Sequence, residues 1–344
     1  MTTTGPTDRP NPSLAALGLA LVRGGLHPRR LSAAWSTPIA GHAAARAGSG
    51  RWPVPPGPAG AALRCWVEGA TVARAELVAA GVPVAAAIGA GLLAPTGPEE
   101  VEATVTLLPV DGGLLAADRL DRQARVDAAA VPDDSSHHLA AAIGDDRVER
   151  WLDLGAGPAV LPLLRPGRAT HVLGLELGAR AVALGRIGLA LSAARGVELT
   201  VADLCAHALP GVPPGRFERV TFNPPMPIGA DGATAPGPGH RVSTRGERVI
   251  AAGLAHAGRA CAVGGEVLVH LAWTRATRAL VAALPGAVTA LCYGEAAATF
   301  ALLRWHPHRR GRAVREHTAA LTPARPHLGR ADLDAADATG AGST

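Results

Sequence analysis

The sequence contains no lysine. All 33 of its basic residues are arginine, against 28 acidic ones in 344 residues. Every mechanism built on a lysine amine is thereby excluded, from P-loop phosphate binding to Schiff-base and pyridoxal chemistry. Aromatic residues make up 3% and Tyr293 is the single tyrosine, so the core must be built from Ala, Leu and Val, and a nucleic-acid surface of stacked rings is disfavoured. The cysteines, Cys65, Cys205, Cys261 and Cys292, form no Cys-x-x-Cys pair, which speaks against structural zinc or a disulfide framework. His137-His138 and His306-Pro307-His308 lack carboxylates or cysteines at ligand spacing, so no metal is expected.

Long apolar runs are also missing. Residues 77–95 carry no charge, but Gly81 and Pro83 interrupt them and small side chains dominate, which fits two short buried helices better than a membrane span. Residues 1–12 lack the basic and apolar pattern of a signal peptide, so a cytoplasmic location without membrane association is expected. What is present is 48% hydrophobic and 18% charged residues, enough for a globular core, and a length that suggests about two domains. The net charge of +5 permits an anionic partner such as RNA without demanding one.

Residues 1–12 read as a tail and 13–130 as a helical N-terminal domain, crossed by a Pro/Gly connection at 48–60. Within it the pattern predicts helices over 61–68, 72–80 and 82–93, then a hairpin of 101–109 with 114–118 about the turn Asp111-Gly112-Gly113. Three helices and a hairpin have the dimensions of a winged helix; a small capping domain is the alternative, because no helix is rich in arginine. From 131 to 310 strands and helices alternate. Seven strands are expected, over 150–154, 171–176, 198–203, 219–223, 266–273, 287–293 and 299–305, and 311–344 read as a C-terminal tail. Such alternation predicts an α/β fold with a largely parallel, Rossmann-like sheet that binds ligands at the carboxyl ends of its strands.

Four adjacent strand ends carry suggestive residues. Asp153-Leu154-Gly155-Ala156-Gly157 places an acid and two glycines at a strand-to-helix turn, where the backbone can approach a ligand closely. Glu176 ends the next strand, where a carboxylate can accept both hydroxyls of a ribose, and Asp203 ends the third, where one can accept an adenine amine. The fourth strand ends in Asn223-Pro224-Pro225-Met226.

In this order and spacing the motifs resemble class I S-adenosylmethionine-dependent methyltransferases, in the branch with an Asn-Pro-Pro-aromatic motif that includes release-factor glutamine and ribosomal RNA guanine methyltransferases. The resemblance covers about residues 132–306 and implies S-adenosyl-L-methionine as cofactor, with RNA or a protein side chain as acceptor. It implies that Asp153, Gly155 and Gly157 frame the methionine moiety, with Ala156 supplying backbone and Leu154 in the same loop. Glu176 would hold the ribose, Leu177 pack on the adenine, and Asp203 contact the adenine amine with Leu204 beside it. Asn223 and the Pro224 carbonyl would grip the substrate nitrogen, with Pro225 and Met226 completing the catalytic motif and Asn223 also counted among the cofactor-binding residues, and Ser135 and Ser136 fall near cofactor or substrate. Amide and aryl amine nitrogens are poor nucleophiles because their lone pair is delocalised, so two fixed acceptors suit the chemistry better than a strong base.

The sequence departs from the pattern in three places. Met226 stands where relatives have a stacking Tyr or Phe, Pro158 and Ala159 replace a small residue and a glycine, and Pro162 falls inside the next helix. Residues 227–240 read as a flap or a plain loop over the substrate site, with His240 and Arg241 as further candidates. Arginines 304, 309, 310, 312 and 315 form either a phosphate-contacting edge or a solvated one. A nicotinamide oxidoreductase is disfavoured because Val160 stands where its third glycine belongs. A degenerate methyltransferase fold acting as a binding module, and a small-molecule acceptor, remain as alternatives.

Overall fold

The computed structural model describes residues 12–29, 56–119, 133–224, 246–295, 298–310, 313–322 and 326–339. In chain order they form α1 (Pro12–Arg23), α2 (Pro58–Trp66), β1 (Val72–Ala73), α3 (Arg74–Ala79), α4 (Val84–Gly89), β2 (Leu93–Pro95), β3 (Glu100–Ala103), β4 (Thr106–Val110), β5 (Gly113–Ala117), α5 (Asp134–Ala142), β6 (Val148–Leu154), α6 (Val160–Leu164), β7 (Ala169–Glu176), α7 (Ala179–Leu191), β8 (Val197–Val201), β9 (Phe217–Phe222), α8 (Gly246–Ala260), β10 (Cys261–Ala272), α9 (Arg275–Ala282), β11 (Ala287–Glu295), β12 (Ala298–His306), β13 (Ala313–Thr318) and α10 (Arg330–Thr339). They divide into two units.

The first unit holds the described residues up to 119 together with 157–166 and 178–197. The expected long strand at 101–109 is two strands. β3 pairs with β1 and β2 in a small antiparallel sheet, whereas β4 pairs, among the described residues, with β5 alone, across the turn after Val110. Between them Thr104 turns back to the end of α4, its hydroxyl donating to the Gly91 carbonyl at 2.5 Å. Helices α6 and α7 lie beyond residue 131 in sequence but belong to this unit. Glycines make the close approach possible: a Cβ on Gly188 of α7 would stand 2.9 Å from the Leu114 carbonyl oxygen of β5.

The second unit is built on an eight-stranded mixed sheet, in the order β13-β11-β12-β10-β9-β6-β7-β8. The expectation of seven strands is therefore corrected to eight. The additional strand, β13, comes from the segment read as a tail and pairs in parallel with β11. β10, β9, β6 and β7 run parallel to one another, and β12 is antiparallel to both its neighbours. Because side chains alternate along a strand, each strand serves two faces. Leu152, Leu154, Val220, Phe222, Val267 and Val269 enter one core with Ile250, Leu254 and Ala257 of α8, so Asp153, Thr221, Leu268 and His270 face the other way.

That other face carries α5 and α10, and it is pinned by buried arginines. Arg219, 1% exposed, lies 3.2 Å from Glu266, which also binds Arg330 of α10 at 2.5 Å. Arg304 binds Asp334 at 2.5 Å and also pairs with Asp337, both on α10. The first arginine of the run read as a phosphate-contacting or a solvated edge is thus internal and holds the C-terminal helix to the sheet, and Leu333 of that helix is fully buried. Only Arg309 and Arg310 of the run are exposed among those whose burial is described.

On the opposite face α8 approaches β9 closely enough that a Cβ on Gly253 would stand 2.3 Å from the Phe222 ring. That ring is fully buried and has no room to retreat. Gly253→Ala is expected to destabilise the protein by about 1–3 kcal/mol through overpacking, read as a lower urea midpoint at unchanged m-value. An unchanged midpoint would mean that helix and strand separate without cost.

Candidate active site

The carboxyl ends of β6, β7, β8 and β9 lie at one edge of the sheet. Asp153 sits there with only 2% of its surface exposed. The Thr221 hydroxyl of β9 donates to its Oδ1 at 2.6 Å, and the Trp151 indole N–H donates to the Thr221 oxygen at 2.7 Å. Oδ2 has no hydrogen-bond partner among the described residues. Burial pushes the Asp153 carboxyl up to about 7; the Thr221 hydrogen bond pulls against that, and the charge of Glu176 adds to it. Sequence reasoning passed over Thr221. Its signal was a hydroxyl between Val220 and Phe222 in an otherwise apolar strand.

After β6 the backbone turns at Gly155, with φ +70°, and Gly157, with φ +54°, both in the left-handed region that glycine tolerates. The N–H groups of Gly155 and Ala156 both bond to the Leu175 carbonyl, at 2.8 and 3.0 Å. Those donors are committed to holding the turn against β7. Ala159 takes φ 64° and ψ 42°, a left-handed conformation that costs an alanine roughly 1–2 kcal/mol. The backbone at Ala159 thus takes a shape that glycine adopts without that cost. Helix α6, containing Pro162, is only five residues long.

Glu176 ends β7 half-buried, and its carbonyl accepts the Ala202 N–H at 2.9 Å, tying the end of β8 to the end of β7. Leu177 is 60% exposed and Val201 49%, so large apolar side chains face solvent at this edge. Asp203 is exposed and its Oδ1 accepts the Cys205 N–H at 2.8 Å. Leu204, like Leu154, is a buried member of the core. Of the leucines named from sequence, Leu177 alone is presented at the surface.

Asn223 follows β9 and its carbonyl oxygen lies 3.7 Å from where a Cβ on Gly155 would stand. The glycine turn and the Asn-Pro end of β9 therefore face each other directly. The Asn223 side-chain Nδ2 donates to Ser135 Oγ at 2.7 Å, and Pro224 is buried. Pro225, Met226, residues 227–240 and Arg241 lie outside the described residues.

The pairing of Val269 with Phe222 sets His270 of β10 beside Asn223 along the sheet. Its Nε2 is 2.5 Å from the Tyr293 hydroxyl, and the ring of His138 packs 4.4 Å from that of Tyr293. The histidine pair weighed for metal thus supplies one member of a buried His-Tyr cluster. His306 and His308 bond instead to the carbonyls of Gly265 and Cys261, at 3.0 and 2.9 Å. No group of three or more His, Cys, Asp or Glu among the described residues is placed to hold a metal ion, and no described helix is long and apolar enough to cross a membrane.

Comparison with known proteins gives these findings. No protein-family model matches the chain, and no curated protein sequence does. Among solved structures the chain is similar to a protein described as a predicted O-methyltransferase from Agrobacterium tumefaciens, at 20% identity and TM-score 0.40, covering 59% of this chain and 96% of that one. It is similar to the methyltransferase subunit of a type I restriction-modification system from Streptococcus thermophilus, at 15% identity and TM-score 0.42, covering 62% of this chain and 53% of that one. It is also similar to an rRNA methylase from Streptococcus thermophilus, at 14% identity and TM-score 0.35, covering 50% and 94%.

Proposed function

We propose that this chain binds S-adenosyl-L-methionine at the carboxyl edge of β6–β9 and transfers its methyl group to an amide or amino nitrogen of RNA or a protein side chain. The observation that carries the reading is the juxtaposition of the Gly155 turn with the Asn223 carbonyl, whose oxygen lies 3.7 Å from where a Cβ on that glycine would stand. A nucleoside-binding turn and a nitrogen-gripping motif then share one opening. Two features support the fit of the cofactor. Asp153 keeps one buried oxygen without a partner among the described residues, suited to a cationic ligand, and Leu177 offers an exposed apolar surface beside Glu176 for a purine.

The cofactor, when bound, supplies an electrophilic methyl on a sulfonium. The protein's part is placement. Asn223 Oδ1 and the Pro224 carbonyl accept the two N–H bonds of the acceptor nitrogen and aim its lone pair at the methyl carbon; the N–C bond would form as the S–C bond breaks to leave a neutral thioether, and the two oxygens stabilise the positive charge on the nitrogen until one of its protons passes to water. Glu176 accepts the ribose hydroxyls and Asp203 the adenine amine. No lysine or metal is required.

The order α2-β1-α3-α4-β2-β3, with β1-β3-β2 as its sheet, supports a winged-helix-like reading of the N-terminal unit in which β2 and β3 form the wing. Helix α4, Val-Ala-Ala-Ala-Ile-Gly, has no charged residue, which favours a protein over a nucleic acid as what it meets.

Glu176→Ala is expected to weaken S-adenosyl-L-methionine binding by about ten- to a hundredfold in calorimetry, the scale of lost hydrogen bonds to a charged group. Tight nicotinamide binding with no affinity for S-adenosyl-L-methionine in the unmodified protein would overturn the whole assignment.

A further inference from the structure

The direction of one hydrogen-bond chain fixes which atom of Asn223 is offered to a substrate. Asp133 is the N-cap of α5, and its Oδ1 accepts the Ser136 N–H at 3.0 Å and the Ser136 hydroxyl at 3.1 Å. The Ser135 hydroxyl donates to the same oxygen. Ser135 Oγ in turn receives the Asn223 Nδ2 at 2.7 Å, across a sequence separation of 88 residues. A serine hydroxyl has one proton and two lone pairs. With its proton given to a carboxylate, which in ionised form only accepts, Ser135 can meet Asn223 only as an acceptor. The amide must then turn its NH2 toward Ser135 and its carbonyl oxygen away. In the flipped orientation Oδ1 would face a lone pair, and the Ser135–Asn223 bond would be lost.

We infer that Ser135, polarised by Asp133, is a positioning residue that locks the Asn223 side chain with Oδ1 free to accept an N–H from the acceptor nitrogen. The inference rests on the proposed methyl transfer for its purpose, but the orientation itself is a property of the protein alone. Ser135 need touch neither cofactor nor acceptor. Its effect runs through the ratio of two amide orientations, only one of which presents an acceptor to the site. It also explains why the helix cap and the Asn-Pro motif lie together: the first turn of α5 and the residue that follows β9 are one device.

Two measurements on the full chain test this. In side-chain amide NMR of 15N-labelled protein without ligand, the Asn223 NH2 signals are identified by their loss in Asn223→Asp. Their exchange with water is expected to be several-fold faster in Ser135→Ala than in the unmodified protein, and to slow again in Ser135→Thr, which restores the hydroxyl. With radiolabelled S-adenosyl-L-methionine and whole-cell extract as probes, Ser135→Ala is expected to lower the labelling rate about tenfold or more while calorimetric cofactor affinity stays within about twofold, and Ser135→Thr to recover most of the rate. Equal exchange in all three proteins would overturn the inference, as would full labelling by Ser135→Ala. Failure of the unmodified protein to bind S-adenosyl-L-methionine sinks the methyltransferase reading instead, and the exchange measurement still decides the orientation.

Discussion

Replacing Asn223 by alanine is expected to lower methyl transfer by a factor of about 10²–10³ while S-adenosyl-L-methionine affinity changes by less than about threefold. The magnitude is that of removing one preorganised polar contact from a reacting centre. The asymmetry follows from location. The Asn223 side chain reaches toward Ser135 on the α5 face, whereas the residues assigned to the cofactor lie at the ends of β6, β7 and β8. Removal of the side chain leaves the backbone carbonyl opposite Gly155 in place and leaves Phe222 buried beneath it. Binding energy for the cofactor is thus retained while the acceptor nitrogen loses one of two groups that orient it. Initial rates of label transfer, with calorimetry of the same protein, check both halves. Unchanged turnover would remove Asn223 from the chemistry; a parallel collapse of cofactor affinity would move it to the cofactor site.

The sheet was legible because its inner strands are short apolar runs between glycine and proline signals, and burial on both faces leaves them few polar positions. The strand beginning at Ala313 was not, because it lies at the sheet's edge and its sequence, Ala-Val-Arg-Glu-His-Thr, shows the composition of a solvated basic tail. The split of residues 100–110 escaped for another reason: period-two alternation cannot announce a change of partner, which Thr104 marks by bonding back to Gly91 and Leu92. At the site, residue type and spacing placed Asp153, Glu176 and Asn223 at strand ends, since strand-end carboxylates and an Asn-Pro step are local signals. Burial is not local. Leu177 and Leu204 occupy equivalent places after their acids, yet one is 60% exposed and the other 8%. The resemblance sets Ser135 near cofactor or substrate, and its partnership with Asn223 depends on α5 packing against the sheet. The internal role of Arg304 was no more legible, because a run of arginines says nothing of the acids on α10 that face it.

Asp153→Asn is expected to change stability in a pH-dependent way that no surface carboxylate would produce. The carboxyl is raised from 3.8 to about 7 by burial, which outweighs the Thr221 hydrogen bond, with Glu176 adding repulsion. Between these two values the native protein holds a proton that the unfolded chain has released. Stability contributed by the protonated acid is therefore fully present below 3.8 and is lost progressively as the pH rises to about 7. At 1.36 kcal/mol per unit the loss amounts to roughly 4 kcal/mol above pH 7. Asparagine never ionises and escapes it. It still accepts from Thr221, but places an NH2 where Oδ2 lacks a partner among the described residues, a constant cost of about 1–3 kcal/mol. The variant should therefore gain about 2–3 kcal/mol relative to the unmodified protein between pH 5 and pH 8, whatever its absolute stability. Urea unfolding of both proteins at the two pH values measures the difference. Added S-adenosyl-L-methionine should reverse the ranking at pH 8, since a bound cation offsets the buried charge in the unmodified protein only. A stability difference that is the same at both pH values would mean that Asp153 does not hold a buried, ionisable charge, and would withdraw it as the group facing the cofactor's cationic end.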